Sequence, residues 1–357
     1  MRVAVLTNAY PPVHQGGAAQ IAERQVEMLK QADHEVRVWS PDCSWLQDGA
    51  WSRLKHHLKD LKAQEQTVNE MLAWKPDVLL THNLTGCGFG TPRAIQAHKI
   101  QWIHVLHDVQ LFEPSGQLQD ERTITPWQIF WGVMRVTYLG NPEIVISPTE
   151  WLLKQHERRG VINRKKSQAI VLPNPGPIIK HVDRHVPHTP IRLLFVGHIS
   201  KEKGSDVLIK LGQKLSSAYE LWIVGDGPDR ERIKQVGAQV RYFGALASDQ
   251  VLEKMKQADI LLVPSQIVEN QPTVILEAAS VGLPLIASNL GGIMETLGES
   301  TWCVTFYDVS AWVESIERLT KDPVGYRQQS ERMYEIAKQH DPEEYQKKIL
   351  GLLRSNS

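Results

Sequence analysis

Two glutamates, Glu269 and Glu277, stand with seven residues between them across the start of an expected helix. Around them, 261–292 reads as apolar strand, short polar loop, helix and second strand. The apolar run 260–263 suits a buried parallel strand. Pro272 is placed at the first helical position, where the N–H it lacks would have no partner anyway. Gly282 and Pro284 stop the helix, and 284–288 is the next strand. Free N–H groups at a helix N-terminus attract an anion such as a diphosphate. A carboxylate beside that anion repels it, unless it points at hydroxyl groups instead. A nucleotide-sugar offers both features, a diphosphate flanked by a ribose and a sugar ring. The plainer alternative is that both acids are helix-start carboxylates favoured by the dipole.

Three further places combine residue types suited to the same chemistry. The strand 191–196 runs into Gly197-His198-Ile199-Ser200-Lys201-Glu202-Lys203-Gly204, and a helix is expected from 205 or 206 to 215. Strand, glycine turn and helix form an anion nest, to which Lys203 brings charge; a lysine on a surface loop is the alternative. Near the N-terminus, strand 2–6 leads through a 7–15 turn to Gly16-Gly17 and a helix over 18–32. Paired glycines let a backbone approach a phosphate closely, although the G-x-G-x-x-G spacing is absent and a plain loop also fits. Strand 103–106 ends at His107-Asp108, at the edge of an open α/β sheet where ligands bind.

These motifs resemble the E-x7-E signature and glycine turns of the retaining family 4 glycosyltransferases, and the resemblance covers nearly the whole chain. It implies an α/β chain with the GT-B fold: two Rossmann-like domains facing across a cleft, with a C-terminal helix crossing back to the first. It implies transfer of a sugar from a nucleotide-diphosphate donor to a glycan, lipid-linked or small-molecule acceptor, with retention of configuration. Glu269 then contacts the donor sugar, and Glu277 the ribose. Gly16 and Gly17 approach the diphosphate, and His107 lies near sugar and acceptor, with Asp108 a weaker candidate to orient it. Gly197, Lys203 and Gly204 match the family's Gly-Arg, four residues, Lys-Gly pattern. His198 replaces the usual arginine, so a permanent five-donor guanidinium becomes an imidazole. Charge on the leaving diphosphate then rests mainly on Lys203. Backbone at Leu246 and the 225–228 turn lies near the base, and N–H groups of Asn270, Gln271 and Thr273 face phosphate and sugar. No metal or cofactor is expected: Asp-x-Asp is absent, and Lys203 with helix N-termini takes the cation's place. Two rivals remain: a non-catalytic nucleotide-sugar-binding protein, motivated by His198, and a nucleotide-sugar epimerase on the same fold, against which the glutamate spacing argues.

The chain as a whole must supply two sheets to position these residues. At 357 residues it suggests two domains. The expected division is 1–180, an acceptor-binding Rossmann-like domain; 188–335, the nucleotide-sugar domain; and 336–357, the returning helix. Residues 173–190, rich in Pro and His, read as the linker. Lys+Arg and Asp+Glu are 40 each, so no field points to nucleic acid. Three dispersed cysteines, Cys43, Cys87 and Cys303, suggest a reducing compartment without a zinc site. With no apolar run of membrane-spanning length and no signal pattern, a cytoplasmic protein is expected. The basic stretch 154–166 is read as a solvated face, with weak peripheral contact at the inner membrane surface as the alternative. A polar helix is expected over 53–74, where His56-His57 has no metal-ligand spacing, and 109–130 reads as a loop shaping the acceptor pocket.

Overall fold

The computed structural model describes residues 1–8, 10–11, 16–40, 65–84, 87, 91–98, 100–113, 115–116, 118, 120–139, 142–184, 187, 189–298 and 302–354. The 12–15 part of the first turn, Cys43, His56-His57 with the 53–64 half of the expected helix, and linker residues 185, 186 and 188 lie outside them.

The chain forms two compact units, Met1–Asn174 joined by Glu343–Ser357, and Pro175–Pro342. In the first unit the elements are β1 (Arg2–Leu6), α1 (Gly17–Gln31), β2 (Glu35–Trp39), α2 (Glu65–Ala73), β3 (Val78–Thr81), α3 (Thr91–Gln96), β4 (Gln101–Val105), α4 (Pro126–Leu139), β5 (Ile144–Ser147), α5 (Glu150–Arg158) and β6 (Gln168–Val171). In the second they are β7 (Ile191–Val196), α6 (Ser205–Lys214), β8 (Tyr219–Val224), α7 (Arg230–Lys234), β9 (Val240–Gly244), α8 (Ser248–Gln257), β10 (Ile260–Val263), α9 (Thr273–Ser280), β11 (Leu285–Ser288), α10 (Gly292–Leu297), β12 (Cys303–Val304), α11 (Val309–Lys321) and α12 (Pro323–Gln339). The final helix is α13 (Pro342–Arg354).

Among the described residues each unit carries one six-stranded sheet, ordered β2-β1-β3-β4-β5-β6 and β12-β11-β10-β7-β8-β9. Every pairing is parallel. Central strands of such a sheet are apolar on both faces because helices cover both. In β7 the alternation is visible: Leu193 and Phe195 enter one core cluster, and Leu194 and Val196 the other. The α13 helix belongs to the first unit, where Tyr345, Ile349 and Leu353 join Val3, Val5, Val26 and Leu29 in one core.

Several local expectations are corrected. Pro272 is the extended cap of α9, at φ −62° and ψ 121°, and Thr273 is its first residue. The 109–130 loop ends early, because α4 begins at Pro126 behind Thr125, whose hydroxyl accepts from Gln128 N at 3.1 Å. Apolar residues run around this helix, so no periodicity announced it. Helices α11 and α12 follow one another directly, split where Asp322 caps α12 through Gly325 N at 2.9 Å. From Pro175 on, the Pro- and His-rich stretch is pinned along the second unit: Gly176 N donates to His340 O and Lys180 N to Ser280 O, each at 2.7 Å.

Candidate functional site

In the second unit, loops after three adjacent strands converge at the C-terminal edge of the sheet, where open α/β sheets bind ligands. The loop after β7 turns at Gly197 and passes through Lys203 to Gly204, at φ 90°. A Cβ on Gly204 would stand 2.1 Å from the Pro264 carbonyl oxygen, so only glycine lets this loop press against the loop after β10. Gln266 N donates to Glu202 O at 2.8 Å across the same contact. The loop after β11 closes on the other side: Gly292 N donates to Glu269 O at 2.8 Å. A Cβ on Gly292 would lie 1.7 Å from Asn270 O.

Glu269 is held among these loops. Lys203 Nζ lies 2.5 Å from Glu269 Oε1, and Ser265 Oγ donates to the same oxygen at 2.6 Å. The sequence assigned Lys203 and Glu269 to different parts of a donor; the fold pairs them with each other. Beside them α9 begins without any side-chain cap; Ile275 N donates back to Pro272 O at 3.0 Å, which leaves the N–H groups of Thr273 and Val274 ahead of it for another partner. Asn270 and Thr273 are half-buried there, and Glu277 is half-buried one turn in. The Gln271 side chain turns inward, within 3.1 Å of His340 Nε2 and 3.4 Å of Thr296 Oγ1. His198 is exposed on the β7 loop. The 225–228 turn after β8 packs on that loop, Ile199 N donating to Asp226 O at 2.9 Å. Half-buried Leu246, after β9, lies against the core.

In the first unit the ends of β1, β3 and β4 form a second constellation. Asn8 N donates to Asn83 O and His82 N to Leu6 O, each at 3.0 Å. His107 stands on the β4 end, with its Nε2 2.7 Å from His82 Nδ1 and the two rings stacked at 5.0 Å. Asp108 is turned elsewhere, its Oδ2 accepting from Asn83 Nδ2 at 2.9 Å and its Oδ1 from Gln110 N at 2.8 Å. The sequence reading missed His82. The signal available was a pair of histidines closing successive parallel strands, since Thr81 and His104 are register partners.

Protonation follows from this geometry. Burial lowers His107 to about 4, and it holds His82 well below the usual imidazole range, with His107 as its next cause. His82 Nε2 is buried with no partner. A bare lone pair is cheaper to bury than an orphaned N–H, so His82 carries its proton on Nδ1 and donates it to His107 Nε2. His107 is then neutral, protonated on Nδ1, and its Nε2 is engaged rather than free as a base. His104 Nδ1 lies 2.8 Å from the Thr81 hydroxyl, and Trp102 Nε1 donates to that hydroxyl. Burial, then the nearby His107, lowers His104 to about 3.

Gly16 caps α1 at φ −72° and ψ 168°, a conformation open to any residue. A Cβ there would meet nothing within 4 Å. The fold therefore does not require glycine at this position, and Gly17 follows as the first helical residue. The basic stretch is not uniformly solvated. Arg159 is buried, donating to Gln128 Oε1 at 3.0 Å and Gln155 Oε1 at 2.6 Å, with Phe112 beneath its guanidinium. Among the described residues no three His, Cys, Asp or Glu gather as a metal ligand set, and no helix is long and apolar enough to cross a membrane.

Two doubly wound parallel units define a protein of the GT-B class. The chain belongs to the group 1, family 4 glycosyltransferases: Glycosyltransferase Family 4 matches residues 15–175 and Glycosyl transferases group 1 matches 179–340. It is similar to the sulfoquinovosyl transferase SQD2 of Arabidopsis thaliana, 32% identical over 115 residues, covering 32% of this chain and 22% of that one. Over the first three curated relatives the match spans 66%, 36% and 22% of their own lengths. In fold it is similar to a sucrose-phosphate synthase of Thermosynechococcus elongatus, with TM-score 0.77 at 18% identity over 99% of this chain and 98% of the other. A second likeness is to Anabaena HepE in complex with UDP and glucose, with TM-score 0.71 at 16% identity over 99% and 100% of the chains.

Proposed function

We propose that the chain transfers a sugar from a nucleotide-diphosphate donor to an acceptor hydroxyl, retaining anomeric configuration and using no metal. The observation that carries this is the Lys203–Glu269 pair beside the uncapped start of α9. An ammonium and a row of backbone N–H groups suit a diphosphate, and a carboxylate beside them suits sugar hydroxyls. On a donor, Lys203 exchanges Glu269 for a phosphate oxygen, and Glu269 is released to the sugar. Glu277 takes the ribose, and backbone at Asn270, Gln271, Thr273, Gly197, His198 and Leu246 completes the donor site. Gly16 and Gly17 are assigned to the diphosphate, whose approach explains a glycine the fold does not need. The first unit takes the acceptor, a glycan, a lipid-linked sugar or a small molecule. There His107 acts as a neutral hydrogen-bonding group rather than a base.

Without a base, the proton needs another destination. The bond from the anomeric carbon to the phosphate oxygen breaks, and a bond to the acceptor oxygen forms on the same face. The acceptor proton passes to the departing phosphate oxygen. Lys203 and the α9 N-terminus stabilise the charge that develops there, the role a cation would otherwise have.

HepE, of the same fold, was crystallised with UDP, which makes UDP the first nucleotide to test, beside GDP and ADP. Calorimetry on the chain and on Glu277→Ala should show one nucleotide binding at micromolar strength without added metal. The variant should weaken it about tenfold or more, the equivalent of about 1.4 kcal/mol. No binding of any nucleotide would sink the reading. Tight donor binding with neither transfer nor hydrolysis would favour the non-catalytic binding protein, and conversion of the donor sugar without acceptor would favour the epimerase.

A further inference from the structure

The backbone pairing of β3 with β4 ends at Thr81 and His104. Just beyond it the two chains bond to opposite neighbours: His82 N donates to Leu6 O of β1, and Leu106 N to Ile146 O of β5. Asn83 O accepts from Asn8 N, which ties 82–83 to the β1 side. Side chains alone then join the two strand ends, in two consecutive rungs. His82 Nδ1 lies 2.7 Å from His107 Nε2, and Asn83 Nδ2 donates to Asp108 Oδ2 at 2.9 Å. The dipeptide that closes β4 is held from β3 residue for residue, and Asp108 Oδ1 also accepts from Gln110 N at 2.8 Å.

The first rung joins two imidazoles, and only one arrangement of protons suits both. His82 is 1% exposed and its Nε2 has no partner, whereas His107 is half-buried. If His107 supplied the proton between the rings, His82 would carry its own on Nε2, an N–H buried with nothing to accept it. With the proton on His82 Nδ1 that atom is a bare lone pair, and His107 Nε2 is the acceptor. The rings also stack, with centroids 5.0 Å apart and planes 23° apart, so contact and bond together fix the plane of the His107 ring. The partner chosen has a chemical consequence. A carboxylate facing Nε2 would draw a proton onto His107, whereas a neutral N–H donor favours the uncharged ring. The hydrogen bond at one ring nitrogen sets which of the two carries the proton.

We infer that His82 is a positioning residue for His107: its Nδ1–H presents His107 to the reacting sugar in one plane and in one neutral tautomer, protonated on Nδ1. The tautomer follows from the geometry, and its catalytic consequence rests on the transfer reading above. The test uses the full chain with isotope-labelled histidine rings read by NMR, His107→Gln to assign the His107 signals, and UDP-glucose as the probe donor. In the parent, His107 should be neutral with its proton on Nδ1. His82→Leu fills the space without a donor, so the His107 signals should become those of a mixture of tautomers. His82→Asn places an amide Nδ2 where the Nδ1–H stood and should restore the parental tautomer. Release of UDP from UDP-glucose, with water as the acceptor, should fall about 10- to 100-fold in kcat for His82→Leu while KM stays within about threefold, because one ring is misplaced and donor binding is not touched. His82→Asn should recover most of that loss, and UDP affinity by calorimetry should stay parental in both variants. A parental His107 protonated on Nε2 would overturn the inference, as would parental turnover in His82→Leu. Equal losses in the two variants would also overturn it and leave His82 a packing residue. If circular dichroism melting shows His82→Leu unfolded, the parental tautomer and its retention in His82→Asn decide. If the parent binds UDP without turning over UDP-glucose, the ring signals alone decide, so failure of the transfer reading is distinguishable from failure of this one.

Discussion

Replacing Lys203 with Met separates a ligand role from a structural one. In the free protein Lys203 and Glu269 form an ion pair at 2.5 Å, with side chains 35% and 14% exposed, and Ser265 donates to the same carboxylate oxygen. Removing the lysine leaves a half-buried carboxylate with one hydroxyl partner. That should cost roughly 1–2 kcal/mol of stability, between the limits for exposed and fully buried pairs. Losing one charge-assisted hydrogen bond to the diphosphate should cost a further 1.5–3 kcal/mol or so in binding, about 10- to 150-fold in UDP affinity. The unpaired Glu269 would also repel the diphosphate, so Lys203→Met alone is ambiguous. Glu269→Gln resolves it. UDP carries no donor sugar for Glu269 to contact, so that variant frees Lys203 for the phosphate and should bind UDP at least as well as the parent, while sugar transfer falls. Lys203→Met/Glu269→Gln should still bind weakly. Calorimetric affinities for all four proteins give the cycle. If the double variant recovers parental UDP affinity, Lys203 serves only to neutralise Glu269, and the donor site proposed here is wrong.

Acid should destabilise the first unit through its buried histidines. His156 is fully buried, donates from Nδ1 to Leu152 O at 2.9 Å, and is lowered to about 4 chiefly by burial. The unfolded chain takes up that proton near pH 6.5, so below 6.5 it binds more protons than the fold. Stability is complete above pH 6.5 and falls towards pH 4, by about 3 kcal/mol for this one group. Urea midpoints measured across that range should slope with pH, and His156→Leu should flatten the slope by about one proton; an unchanged slope would refute the assignment. Gly292→Ala should weaken nucleotide binding without touching ligand chemistry, because its Cβ would drive against Asn270 O and displace the loop carrying Glu269. Parental UDP affinity in that variant would show that the 269–270 loop does not shape the site.

The sequence was explicit wherever chemistry is carried by local pattern. Apolar runs of strand length, each followed by a loop and a helix start, placed β1, β7 and β10 and the helices after them, since both parallel-strand burial and helix stops are written in a few consecutive residues. Glu269, Glu277, Lys203 and His107 could be placed at strand ends or helix starts for the same reason, while the roles proposed for them came from the family resemblance. Helix α4 was not legible, because its outward residues are as apolar as a core and hide the periodicity that marks a surface helix. What only the tertiary structure decided was which of these residues meet. Lys203 and Glu269 are 66 residues apart, and they pair because β7 and β10 are neighbours in the sheet and Gly204 lets their loops touch. His82 meets His107 because β3 and β4 lie side by side. The inward turn of Gln271 and the burial of Arg159 were decided likewise. Strand order and close backbone approach are long-range properties, and no local window of residues contains them.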